Sequence, residues 1–129
     1  MDINLLVTGA LYSSQSGYSA LQFCRAAIEA GHLITQVFFY QDGVTQATKL
    51  SKPLDDEFDL TEGWARFGKE HAVPLFLCLS AGERRGVMAQ EQADEYQLDA
   101  SNVLPGFNVA GLGVLHEASL DSDRTVTFK

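Results

Sequence analysis

The sequence is poor in basic residues. Its 129 residues contain nine lysines and arginines against 17 aspartates and glutamates, and the formal net charge is −8. A chain this acidic repels a phosphate backbone, so direct binding to nucleic acid is disfavoured. The acidic residues cluster at positions 55–62 and 91–99, where a solvated helix face or a surface loop accounts for them.

Long apolar runs are also missing. The longest, such as residues 3–7 and 75–79, fall far short of the roughly 20 apolar residues that a helix needs to cross a bilayer. The first residues show no basic region followed by an apolar segment, and Asp2 is acidic. We therefore expect no membrane span, no secretory signal and a cytoplasmic location.

Cysteine is scarce, with Cys24 and Cys78 the only two. In a reducing cytoplasm such a pair is more typical of free thiols than of a disulfide, and the absence of C-x-x-C spacing gives no indication of a dithiol redox couple. The histidines His32, His71 and His116 show no metal-ligand spacing with one another or with a cysteine. No metal and no organic cofactor are expected.

What the sequence does contain is a regular alternation of apolar strands and amphipathic helices. Strands are predicted over residues 3–8, 34–40, 73–79, 107–109 and 124–128, and helices over residues 18–30, 44–47, 58–70, 88–97 and 112–120. A chain of this length is expected to form one domain, residues 1–129. The alternation predicts an α/β fold with a mostly parallel sheet flanked by helices on both faces.

Cys78 is the main candidate for chemistry because it ends the third predicted strand. Small, polar and basic residues follow at positions 80–86, which predicts a loop and then a helix that begins near Gly82. Ligands bind at the carboxyl ends of the strands in open α/β sheets. Cys78 is therefore predicted to be a nucleophile that solvent and partners can reach.

The residues after Cys78 bear on its reactivity. Arg84 and Arg85 form the only adjacent basic pair in the chain, and together with a helix N-terminus they would favour a thiolate, whereas Glu83 opposes it. The roles of the two arginines stay open. They also offer a local attraction for an anionic substrate or an acidic partner.

Two other interpretations of Cys78 remain open. A free cysteine is often only a small buried hydrophobe, which is the role expected for Cys24 on the apolar stripe of the first helix. The spacing of Cys78 and Arg84 also satisfies the C-x5-R pattern of cysteine phosphatases, but Arg85 occupies the usual serine or threonine position and no Asp-Pro pair supplies a general acid.

Several segments taken together resemble the DsrE/TusD sulfur-relay family, and the TusD type most. The matching segments are residues 7–12, 20–23, 31–32, 37–44, 56–60, 84–87, 111–113 and 117–119, together with Cys78. The resemblance implies a flavodoxin-like, DsrE-like domain and a sulfurtransferase subunit in which Cys78 carries sulfur as a persulfide. Residues 80–83 depart from the more alanine-rich loop of the family.

The same resemblance implies partners. A TusD-type chain joins TusB-like and TusC-like sister subunits in a heterohexamer with two copies of each. It takes sulfur from a TusA-like donor and passes it to a TusE-like acceptor, towards 2-thiolation of the wobble uridine of transfer RNA. The RNA is met only later in the relay, which agrees with the acidic charge. The alternatives are a DsrE-type carrier in sulfur oxidation and a non-catalytic interaction subunit of a similar complex.

Overall fold

Five strands form one sheet in the computed structural model, which describes all residues from Met1 to Lys129. The strands are β1 (Asp2–Val7), β2 (Leu33–Phe39), β3 (Leu75–Cys78), β4 (Phe107–Ala110) and β5 (Arg124–Phe128). Their order across the sheet is β4-β3-β2-β1-β5, and every neighbouring pair is parallel. The parallel sheet predicted from the alternation is confirmed.

Helices connect the strands on both faces. They are α1 (Ser16–Glu29), α2 (Leu60–His71), α3 (Leu79–Arg85), α4 (Gln90–Glu95) and α5 (Leu112–Asp121), and a 3₁₀ helix covers Gln41–Ala47. Strands β1 to β4 advance in one direction, so right-handed crossovers place α1 to α4 on one face of the sheet. The chain then returns across the sheet to β5, which places α5 on the other face. No helix in the structure combines the length and the apolar character that a membrane span requires.

One contiguous apolar core lies between the sheet and the layer formed by α1 and α2. Helix α1 buries Leu21 and Cys24 at helical spacing, and α2 contributes Trp64. The ring of Phe39 in β2 meets the ring of Trp64 edge to face, with centroids 5.2 Å apart. Helix α5 buries none of its residues, so the opposite face of the sheet is covered far more thinly.

The second long helix begins two residues later than the sequence predicts. Asp59 caps it, because its Oδ1 accepts a hydrogen bond from the backbone N–H of Glu62 at 3.2 Å. Phe58 therefore stays outside the helix. At the other end Ala72 adopts a left-handed conformation with φ +53°, which terminates the helix before β3.

A buried amide joins three segments on the carboxyl side of the sheet. Gln46 of the 3₁₀ helix is fully buried. Its Nε2 donates to the carbonyl oxygen of Gly9 at 2.9 Å, and its Oε1 accepts from the indole N–H of Trp64 at 2.8 Å. The loop after β1, the segment after β2 and helix α2 are thereby held at fixed positions beside the strand ends.

The substitution Gln46→Ala would leave the Trp64 indole and the Gly9 carbonyl buried without partners. An unsatisfied buried polar group costs about 1–3 kcal/mol, so we expect the free energy of unfolding to fall by about 2–4 kcal/mol in urea denaturation. Gln22→Ala is the matched control, since Gln22 is partly exposed on α1, and it should change the stability by less than about 0.5 kcal/mol. Equal losses in the two variants would contradict the network.

Candidate functional site

The strand that carries Cys78 passes directly into a helix. Cys78 is itself the cap residue of α3, with extended backbone angles (φ −66°, ψ 127°). The helix predicted to begin near Gly82 therefore begins at Leu79, and the loop predicted before it is absent. The small residues that suggest a loop are needed for packing, because Ala81 and Gly82 are buried against the body of the domain.

Gly82 shows how tight this packing is. A Cβ atom at that position would lie 2.5 Å from the carbonyl oxygen of Val87, which no real structure tolerates without movement. Gly86 then ends α3 in a left-handed conformation with φ +71°, which glycine adopts without strain. The chain thus turns back sharply after seven helical residues and keeps α3 pressed against the end of the sheet.

The thiol of Cys78 is covered by this arrangement. Its residue is 1% exposed, so the prediction of a freely reachable thiol is wrong for the chain on its own. Cys78 belongs to the apolar core, and β3 passes directly into α3 without a loop that would expose its side chain. The Sγ atom lies 3.5 Å from the hydroxyl of Ser80, and Ser80 is exposed. The sulfur therefore contacts the side chain of a residue that reaches solvent.

The two arginines have different surroundings. Arg85 donates from Nε to Oδ1 of Asp42 at 2.8 Å and from Nη1 to the carbonyl oxygen of Ala81 at 3.2 Å. Because Asp42 follows β2, this ion pair, the only one in the structure, ties α3 to the neighbouring strand end. Arg84 is exposed and forms no ion pair. Neither arginine forms a hydrogen bond with the sulfur of Cys78.

The sequence alone does not identify Asp42 and Ser80 as members of this site. Asp42 lies 43 positions before Arg85, and no local pattern links the two. Ser80 was part of the predicted loop, and only the helical turn brings its hydroxyl back towards the preceding cysteine.

Glu83 does not act on the thiol as a free carboxylate. Its Oε1 accepts from the Tyr96 hydroxyl at 2.9 Å and from Nε2 of Gln92 at 3.2 Å. The hydrogen bond from Tyr96 and the charge of Glu83 raise the pKa of the Tyr96 phenol. Glu83 therefore links α3 to the segment formed by α4 and Tyr96.

The helical conformation of residues 79–85 also disfavours the phosphatase interpretation. Such an enzyme needs a loop whose free backbone N–H groups surround an oxyanion, whereas the N–H groups beyond the first helical turn bond within the helix. No three His, Cys, Asp or Glu side chains converge as possible metal ligands. His32 instead contacts the N-terminal amine through Nδ1 at 2.9 Å.

Cys24 has a purely structural environment. It is fully buried on the core-facing side of α1, as the helical spacing predicts. Burial raises the pKa of its thiol from 9.0 to about 12. The neutral thiol therefore persists at any physiological pH and does not compete with Cys78 as a nucleophile.

The raised pKa of Cys24 predicts a loss of stability at alkaline pH. Above about pH 9 the unfolded chain loses the thiol proton while the folded chain keeps it. The free energy of unfolding therefore has its full value below this pH and falls as the pH rises towards 12. By about pH 10.5 the free energy of unfolding has fallen by roughly 2 kcal/mol through this group. Urea denaturation at pH 8 and pH 10.5 should show a steeper decline for the unsubstituted protein than for Cys24→Ala, and parallel declines would contradict this assignment.

The ion pair between Arg85 and Asp42 is expected to slow the labelling of the Cys78 thiol. Both side chains are partly solvated, at 31% and 65% exposure, so the pair contributes at most about 1 kcal/mol. In a Cys24→Ala background, Asp42→Asn should speed iodoacetamide labelling of Cys78 about two- to fivefold, measured by mass spectrometry. Asp56→Asn is the control, since Asp56 is exposed and forms no ion pair. Identical labelling rates would show that the ion pair does not hold α3 closed.

Comparison with known proteins places these observations in a family. A model of the DsrE/DsrF-like family matches residues 1–128. A relative from Vibrio parahaemolyticus serotype O3:K6, named "Sulfurtransferase TusD homolog", is 51% identical over 124 residues, which cover 96% of this chain and 95% of the relative. "Sulfurtransferase TusD" of Serratia proteamaculans is 44% identical over 128 residues, which cover 99% of each chain.

The fold agrees with this match. The crystal structure of the ychN protein from E. coli superposes with a TM-score of 0.79 and covers 99% of both chains at 22% identity. At that identity the likeness supports the fold alone. The ychN protein shares the architecture of the parallel sheet described above. The family model and the near full-length relatives agree, and the chain belongs to the DsrE/DsrF-like family.

Proposed function

We propose that this chain is a sulfurtransferase subunit that carries sulfur as a persulfide on Cys78. A sulfur-transfer role is supported by near full-length relatives that bear the name sulfurtransferase TusD. The observation that carries the choice of residue is the position of Cys78 at the carboxyl end of β3, beside the exposed Ser80. The other cysteine, Cys24, lies in the core with a strongly raised pKa.

The chemistry is a pair of balanced displacements at sulfur. The Cys78 thiolate attacks the outer sulfur of a donor persulfide, the donor's S–S bond breaks, and the donor leaves as a thiolate while Cys78 becomes a persulfide. The acceptor's thiolate then attacks the outer sulfur on Cys78 and releases the Cys78 thiolate. Neither step needs an external oxidant or reductant, and the rates depend on thiolate fraction, leaving group and access.

Sulfur transfer in this structure requires a partner to gain access to the buried Cys78. With Cys78 1% exposed, a partner's sulfur reaches it only when the first turn of α3 moves. That turn presents the exposed residues Leu79 and Ser80 to a partner, and its buried residues Ala81 and Gly82 would shift with it. The Ser80 hydroxyl, already 3.5 Å from the sulfur, would donate to the thiolate and to the persulfide anion.

The relay around this subunit is part of the same proposal. The donor would be a TusA-like protein, the acceptor a TusE-like protein, and the assembly a heterohexamer with TusB-like and TusC-like chains, serving 2-thiolation of the wobble uridine in transfer RNA. The support is the identity of 44–51% to relatives named TusD. The net charge of −8 fits a subunit that does not hold the RNA itself.

A second candidate function follows from the burial of Cys78. A subunit that only completes an assembly requires no reachable thiol, and the covered sulfur is what that role predicts. The two candidates differ in whether the native protein accepts sulfur at all.

The sulfur-transfer proposal predicts a residue-specific adduct. After incubation with a persulfidated TusA-like donor, mass spectrometry should show one added sulfur, about 32 Da, on the peptide that contains Cys78. The adduct should be lost in Cys78→Ser and retained in Cys24→Ser, because only Cys78 lies beside an exposed polar side chain. Sulfur that persists in Cys78→Ser would overturn the residue assignment. A native protein that never takes up sulfur would favour the interaction subunit.

A further inference from the structure

A small groove borders the site on the side of the edge strand. Leu79, which follows Cys78, and Ala110, whose Cα is the register partner of Cys78, both line it. Its remaining walls come from α4 and the end of β4: Ala89, Glu91, Gln92, Glu95, Val109 and Gly111. The groove therefore begins one residue from the candidate sulfur carrier, although Cys78 is not itself among its lining residues.

The size of the groove limits its occupant. Its volume is about 270 Å³, which lies below the usual range of roughly 300–1,000 Å³ for pockets that bind small organic ligands. One or two side chains of an extended peptide fit such a space. Leu79, Val109 and Ala110 give part of the lining an apolar surface, which suits the aliphatic part of a long side chain.

The charge at the rim of the groove indicates which end group the bound side chain would carry. Glu91 and Glu95 are one helical turn apart on α4, and both are exposed. Neither forms an ion pair, because the only ion pair of the chain joins Arg85 to Asp42. Two like charges at this spacing repel each other and destabilise a helix slightly. A lysine or arginine from outside would relieve that repulsion.

The backbone next to the groove is free to pair. β4 is an edge strand, with β3 on its inner side and no strand on the other. The outer edge of such a strand exposes N–H and C=O groups that an incoming extended segment can bond. A segment along β4 would direct alternate side chains into the groove while its neighbouring residue approached the end of β3.

From these four features we infer that the groove between α4 and β4 receives an extended, cationic segment of the protein that exchanges sulfur with Cys78. A lysine or arginine next to the partner's cysteine sits between Glu91 and Glu95, and the segment's backbone follows β4. This inference rests on the proposed function and specifies which surface of the chain the partner uses and which chemistry it carries.

The test uses three peptides in which cysteine is followed by lysine, glutamine or glutamate, each activated as a mixed disulfide with 2-thiopyridine. In a Cys24→Ala background the Cys78 thiolate attacks the peptide sulfur, a Cys78–peptide disulfide forms, and 2-thiopyridone leaves and is measured by absorbance. The lysine peptide should react on the order of tenfold faster than the glutamine peptide at low salt, and the advantage should shrink as salt is added.

Glu91→Gln/Glu95→Gln should reduce the lysine advantage to about twofold or less. The matched control is Asp55→Asn/Asp56→Asn, which removes the same number of charges from an exposed loop that does not line the groove and should keep the full advantage. Circular dichroism verifies that both variants are folded.

The outcomes separate the two proposals. If the lysine advantage is absent, or falls equally in both double variants, the docking inference is overturned while the reactivity of Cys78 stands. If no peptide reacts with the native protein although the denatured protein releases one equivalent of thiopyridone, the proposed function fails and the docking inference fails with it.

Discussion

The direct passage from β3 into α3 is the constraint on which the candidate site depends. Because Cys78 ends the strand and also caps the helix, its sulfur is fixed at the carboxyl edge of the sheet, where it belongs to the apolar core. The buried Ala81 and Gly82 allow the helix to lie this close. Arg85, bonded to Asp42, holds its far end to the neighbouring strand. The result is a buried thiol that lies 3.5 Å from the hydroxyl of the exposed residue Ser80.

The two cysteines show how position decides chemistry. Cys24 sits in the middle of a helix that faces the core, where desolvation keeps its thiol neutral. Cys78 is almost as buried, yet an exposed hydroxyl lies 3.5 Å from its sulfur. Both cysteines belong to the apolar core, but Cys78 lies at its edge, where β3 ends and α3 begins. The proposed persulfide on Cys78 would be shielded from other thiols by this burial.

Much of the architecture could be predicted from the sequence, because apolar periodicity reports which face of an element is buried. The strand β5 at Arg124–Phe128 and the core position of Cys24 follow from such patterns. The conformation after Cys78 could not be predicted in this way. Serine, alanine and glycine in succession indicate a loop, and only the close approach of Gly82 to Val87 explains why these small residues form a helix instead. The bond between Arg85 and Asp42 joins elements distant in sequence, so local patterns contain no signal for it.

Differential labelling of the two cysteines measures whether Cys78 becomes accessible in the native protein. A native sample is treated with an excess of iodoacetamide at pH 8, and the modified fraction of each cysteine is followed over time by peptide mass spectrometry. We expect Cys78 to become labelled while the protein remains folded, and Cys24 to stay unmodified until denaturant is added. Equal protection of both cysteines until global unfolding would contradict it.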